Sequence, residues 1–136
     1  MTALPDIRKT ILLNAPIQKV WKAVATSEGL AAWWMPNTFE PALGHKFVLR
    51  AGKYGDSPCK VVEIDPPHTL RFAWGKDWQL AFELRDMGEK TELTLIHSGW
   101  DSEKVTEFGQ PHPSIRDFMA SGWGDLAALR KYVEGQ

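Results

Sequence analysis

Cysteine is almost missing from this chain of 136 residues: Cys59 stands alone, which excludes an internal disulfide and fits a reducing compartment. An excess of one charge is missing too. Lys and Arg number 16 against 17 Asp and Glu, a net charge of -1, so nothing advertises nucleic acid or an anionic membrane surface. No apolar run approaches the length that spans a bilayer. Met1 to Asp6 has neither a basic region nor an apolar stretch, so no secretory signal is read there. Internal repeats, low-complexity tracts and linkers are absent from the sequence. The expectation is one domain, 1–136, long enough to bury roughly two thirds of its unfolded surface. A cytoplasmic monomer or weak dimer is expected, with no nucleic-acid partner and no membrane insertion.

Recognisable catalytic signatures are also scarce. The histidines at 45, 68, 97 and 112 lie far apart, without the spacing of zinc or iron ligands. Gly52 to Gly55 falls in a hairpin turn rather than at the start of a helix after a strand, so it is no phosphate cradle. No serine stands in a nucleophile-elbow context. No catalytic residue, metal ligand or cofactor is therefore assigned, and a binding protein is expected ahead of an enzyme.

What the chain does have is tryptophan, seven residues at 21, 33, 34, 74, 78, 100 and 123. Large rings fill a core efficiently, and they also make walls for a flat apolar ligand. Both readings stand at this point. Trp33-Trp34-Met35 sharpens the second, since three large side chains in succession cannot all face one core.

The pattern of residues orders the elements. Ile7 to Leu13 reads as a strand closed by Asn14-Ala15-Pro16. Pro16 suits the first turn of a helix bearing Val20, Trp21, Val24 and Ala25, and a second helix runs from Glu28 to Trp34 before Pro36. From His45 to Ser98 the period changes to two. Strands carry Phe47 and Leu49, Cys59 to Ile64, Leu70 to Trp74, Trp78 to Leu84, and Leu93 to His97, with turns at Gly52 to Pro58, Pro66-Pro67, Gly75-Lys76-Asp77 and Met87-Gly88-Glu89. Short connections argue for an antiparallel meander. Gly99 to His112 reads as a long loop. Ser114 to Glu134 reads as one helix, its buried face formed by Ile115, Phe118, Met119, Gly122, Leu126, Leu129 and Val133. Gly122 on that face implies either space or close packing. The fold class is α+β, a helix laid across a curved antiparallel sheet.

Ala15-Pro16 with Val20-Trp21, Trp33-Trp34 with Pro36, Glu63-Ile64-Asp65-Pro66-Pro67 with Phe72-Ala73-Trp74, Thr91 to Leu95 with His97-Ser98-Gly99-Trp100, and Gly122-Trp123 with Leu126, Leu129 and Tyr132 form an ordered set. In that order they resemble the bacterial relatives of the activator of the heat-shock-protein-90 ATPase, within the START-like, birch-pollen-allergen-like superfamily. The resemblance covers essentially the whole chain. It implies a helix-grip fold, a curved sheet around the carboxy-terminal helix with two short helices closing one end of a cavity. It also implies a stress-response setting and brings in chaperone contact, although the separate amino-terminal domain of the eukaryotic activator has no counterpart here. Superfamily members bind lipids, sterols, polyketides and phenolics, so the fold alone selects no chemistry.

The candidate ligand-binding residues are Phe47, Leu49, Phe72, Trp74, Trp78, Leu80, Phe82, Leu95, His97, Phe118, Met119, Gly122 and Trp123, taking a small hydrophobic or aromatic molecule. His97 shares a strand face with Leu93 and Leu95 and offers a polar anchor inside an apolar pocket. The alternatives are a cyclase or lyase using His97 with Asp101 or Glu63 for acid–base work, and a chaperone-interacting protein. Cys59 is expected to be a small core residue.

Overall fold

The computed structural model describes residues 3–50, 56–75, 77–106, 109, 111–123 and 126–135. Among them are six strands: β1 (Ile7–Leu13), β2 (Lys46–Arg50), β3 (Asp56–Asp65), β4 (Thr69–Trp74), β5 (Trp78–Asp86) and β6 (Thr91–Ser98). Four helices accompany them, α1 (Ile17–Val24), α2 (Ser27–Trp33), α3 (His112–Trp123) and α4 (Ala127–Glu134). The strands form one antiparallel sheet in the order β1-β6-β5-β4-β3-β2, a meander whose first strand has crossed to pair with its last. Period-two alternation does what it should: on β4, β5 and β6 the residues Leu70, Phe72, Trp74, Trp78, Leu80, Phe82, Leu93, Leu95 and His97 all face inward and are buried. A register shift between Val61 and Glu63 marks a bulge in β3, an irregularity of the kind that bends a strand.

The two short helices follow β1 as expected. Thr26 caps α2, its hydroxyl accepting the Gly29 N–H at 2.9 Å. Gly29 is where α2 crosses α1. A Cβ there would stand 2.8 Å from the Ala23 Cα and 2.7 Å from its carbonyl oxygen, and would also crowd the carbonyl oxygen of Lys22. Replacing Gly29 by Ala is therefore expected to lower stability by about 1–3 kcal/mol, the usual cost of overpacking against backbone that has nowhere to move, and urea denaturation measures it.

Two expectations are corrected. Asp56 and Pro58, assigned to a turn, belong to β3: Pro58 lies opposite Val48, and its carbonyl accepts the Gly75 N–H at 2.7 Å. Gly52, Gly55, Lys76 and Gly124, also named in turns or on the terminal helix, lie outside the described residues. The carboxy-terminal helical segment runs as two helices rather than one. Leu126 sits at the start of α4 with φ 58, a left-handed conformation unusual for leucine, and its N–H bonds to the Trp123 carbonyl at 2.8 Å. This resets the helical phase. Leu126, Leu129 and Val133 point into the core as the spacing implies, but upstream of the break the buried residues are His112 and Trp123. Ile115 and Met119 are half-buried, and Phe118 is 58% exposed. The fold class stands: a helix-grip arrangement of a bent antiparallel sheet with helices against one face.

Candidate functional site

On the inner face of β4, β5 and β6, Trp74, Trp78 and His97 meet at one end of the sheet. The His97 ring stacks on Trp74 (centroids 4.9 Å, interplanar 16°) and meets Trp78 at right angles (5.1 Å, 88°). Trp100, just past β6, lies 4.6 Å away, and its Nε1–H donates to the His97 carbonyl at 3.0 Å. Trp123, the last residue of α3, completes the enclosure, its Nε1–H donating to His97 Nδ1 at 3.2 Å. His97 is fully buried. Burial first, and the positive charge of Arg116 second, lower its pKa from the ordinary 6.5 to about 3, so the ring is neutral at pH 7. A neutral imidazole that accepts at Nδ1 carries its proton on Nε2.

That tautomer leaves a set of unanswered donors. His97 Nε2 and the Nε1–H groups of Trp74 and Trp78 are buried without a hydrogen-bond partner among the described residues. Each such group costs on the order of 1–3 kcal/mol, so three in one contact cluster is a concentrated penalty for a small domain. A second buried imidazole borders the cluster. His112 opens α3, packs 5.9 Å from Trp78 and 5.7 Å from Trp100, and accepts the Asp101 N–H at Nδ1 (3.1 Å). Its Nε2 lies 3.7 Å from Asp77, whose other oxygen faces Lys104 at 3.3 Å.

Beside the cluster a groove of about 340 Å³ opens to solvent between α2 and the carboxy-terminal helices. Trp33 and Trp34 line one side; Phe118, Met119, Gly122, Trp123 and the start of α4 line the other. Gly122 makes room here: a Cβ built on it meets nothing within 4 Å. Of the two meanings held open for this glycine, space is the one observed. Trp34 links groove and cluster, contacting Trp74 edge-on at 5.4 Å and Trp123 at 5.3 Å.

The thirteen residues named from sequence thus fall into three places. Phe118, Met119, Gly122 and Trp123 line the groove; Trp74, Trp78, His97 and again Trp123 form the aromatic cluster. Phe47, Leu49, Phe72, Leu80, Phe82 and Leu95 are buried in the core, where Phe47 and Phe72 meet edge-on at 5.2 Å and Phe82 meets Trp33 at 6.2 Å. Sequence reasoning did not name Leu126, Ala127, Ala128, Trp100, His112 or Asp77 for the site. Trp34 had a signal in the Trp33-Trp34-Met35 run: Trp33 is buried and donates from Nε1 to the Ala23 carbonyl at 2.8 Å, whereas Trp34 and Met35 stay half-buried. Trp100 and His112 had none, because loop residues follow no period. Glu63 does not meet His97. It pairs with Arg71 at 3.7 Å, and β4 and β5 intervene between its strand and β6, a separation of roughly 14 Å. Cys59 is buried. Among the described residues no group of three His, Cys, Asp or Glu side chains could hold a metal ion, and no helix is long and apolar enough to cross a membrane.

A bent antiparallel meander gripping helices, with an aromatic-walled groove at their junction, defines a START-like helix-grip domain. The chain belongs to the family described as Activator of Hsp90 ATPase homolog 1-like protein, whose model matches residues 14–134. Among solved structures it is similar to Bacillus halodurans protein BH1534, with 41% identity and a TM-score of 0.85 over 98% of this chain and 99% of that one. It shares its fold with the Aha1 dimer of Colwellia psychrerythraea (19% identity, TM-score 0.79, 96% and 97% covered). The same holds for PFC0360w, an HSP90 activator from Plasmodium falciparum (16% identity, TM-score 0.77, 97% of each chain). No curated protein matches the chain.

Proposed function

We propose that this protein is a small-molecule binding module that takes a flat apolar or aromatic ligand, of lipid, polyketide or phenolic type, in the groove between α2 and α3. One observation carries the reading: the groove of about 340 Å³ is walled by the half-buried ring of Trp34 and the ring of Trp123, and Gly122 puts no side chain into it. Offset stacking against such rings gains affinity beyond the area covered. The chemistry reading has less support, since Glu63 pairs with Arg71 and is separated from His97 by β4 and β5.

Gly122 gives a test with opposite expected signs. Gly122→Ala is expected to keep ligand binding and to raise stability by up to about 1 kcal/mol, because alanine is the better helix former and meets no neighbour. Gly122→Trp is expected to keep the fold and abolish binding by filling the groove. A ligand-observed NMR screen with fatty acids, polyketides and flat phenolics, run on all three proteins, reads both effects. Binding that survives Gly122→Trp moves the site elsewhere. No binder from any class leaves the chaperone-type interaction named by the family as the better reading.

A further inference from the structure

We infer that the aromatic cluster behind the groove is a receptor for a hydrogen-bond acceptor: the ligand presents a neutral carbonyl oxygen, of aryl-ketone or quinone type, to Trp74, Trp78 and His97. This rests on the groove reading above and narrows the ligand it takes. Trp74, Trp78 and His97 are in mutual ring contact, with centroids 4.9–5.3 Å apart, and each holds a buried nitrogen that has no hydrogen-bond partner among the described residues. An indole N–H can only donate. His97 is committed to the same role at Nε2, since its Nδ1 is taken by Trp123. Neighbouring ring faces are second-order partners for such groups.

The chemistry of the occupant follows by elimination. A hydroxyl oxygen can accept from them but leaves its own O–H without an acceptor on these three rings, and an ammonium group has no lone pair to offer. A carboxylate would bury its charge, and the nearby Arg116 already spends its Nε–H on the Pro5 carbonyl at 2.8 Å. A pure hydrocarbon leaves all three donors as they were. A carbonyl oxygen brings two lone pairs and no charge. The route is short, because Trp34 and Trp123 each line the groove on one side and touch a donor residue on the other, Trp74 and His97 respectively. The Trp34–Trp123 contact, 5.3 Å between centroids and tilted by 43°, separates the groove from the donors, and a bound carbonyl has to part these two rings to reach them.

The test uses two flat tricycles of nearly equal size, 9-fluorenone and fluorene, titrated into the full-length protein labelled with nitrogen-15. Fluorenone is expected to bind about tenfold tighter, the worth of one well-made buried hydrogen bond, and to shift the indole N–H signals of Trp74 or Trp78 downfield. Trp78→Phe and Trp74→Phe keep a ring and remove a donor; the preference is expected to shrink in at least one of them. Equal affinity for the two tricycles in the wild-type protein, which needs no variant, overturns the inference while leaving the groove reading intact. So does a preference unchanged in both variants, or indole signals that stay in exchange contact with a resident water when fluorenone is bound. Failure of both tricycles to bind removes the groove reading itself, and the acceptor inference with it.

Discussion

Acidification from pH 7 to pH 4 is expected to lower the folding equilibrium constant by roughly two powers of ten through His97 alone. In the folded protein, burial and then the charge of Arg116 hold its pKa near 3, whereas the unfolded chain returns it to 6.5. Between those values the unfolded state binds a proton that the folded state does not. Stability therefore rises with pH across that window, is fully present above about pH 6.5, and is lost as pH falls towards 3, at about a factor of ten per unit. Other groups titrate in the same range, so the measurement is a comparison. Urea denaturation at pH 7 and pH 4 is run on the wild type and on His97→Asn, whose amide oxygen can take over the bond from Trp123 Nε1. The wild type is expected to lose about a hundredfold more in the folding equilibrium than the variant. Equal losses would mean that His97 is protonated in the folded state, and the tautomer argument for its Nε2–H would go with it.

Phe82→Ala is expected to lower stability by about 3–5 kcal/mol, while Phe118→Ala changes it by less than about 0.5 kcal/mol. Both residues were named from sequence as lining one cavity. Phe82 is fully buried and packs edge-on against Trp33 at 6.2 Å, so truncation removes a ring from a close-packed core and leaves a void that the sheet cannot close. Phe118 is 58% exposed at the groove, and its loss touches the ligand surface rather than the core. Thermal and urea denaturation give the stabilities, and the ligand screen gives the other half: binding is expected to weaken in Phe118→Ala. A small stability loss in Phe82→Ala would instead mean that the sheet interior has room to spare, and would move the binding site there.

The strands were legible in the sequence because their code is local. Alternation on β4, β5 and β6 placed Phe72, Trp74, Leu80, Phe82, Leu95 and His97 on the inner face with no knowledge of neighbours, and they are all buried. The two short helices were legible for the same reason, through Pro16, the helical spacing of Val20, Trp21, Val24 and Ala25, and the stop at Pro36. The carboxy-terminal segment was not. Its spacing from Ile115 to Val133 fits one helix, and nothing in it marks Leu126 as a left-handed residue. Docking against α1, α2 and β1 fixes the phase of α4, while α3 follows a separate phase that leaves Phe118 outside and turns Trp123 inward.

The sequence by itself determined a meander with an aromatic-rich inner face and a histidine among its apolar residues, since each of these depends on residues a few positions apart. Tertiary structure decided which tryptophan answers that histidine. The bond from Trp123 to His97 spans 26 positions, and the contact of Trp34 with both Trp74 and Trp123 joins three elements. Such meetings depend on strand order and on the break at Leu126, which no periodicity encodes. They are also what leaves the groove open at Gly122 and, behind it, three buried donors with no acceptor among the described residues.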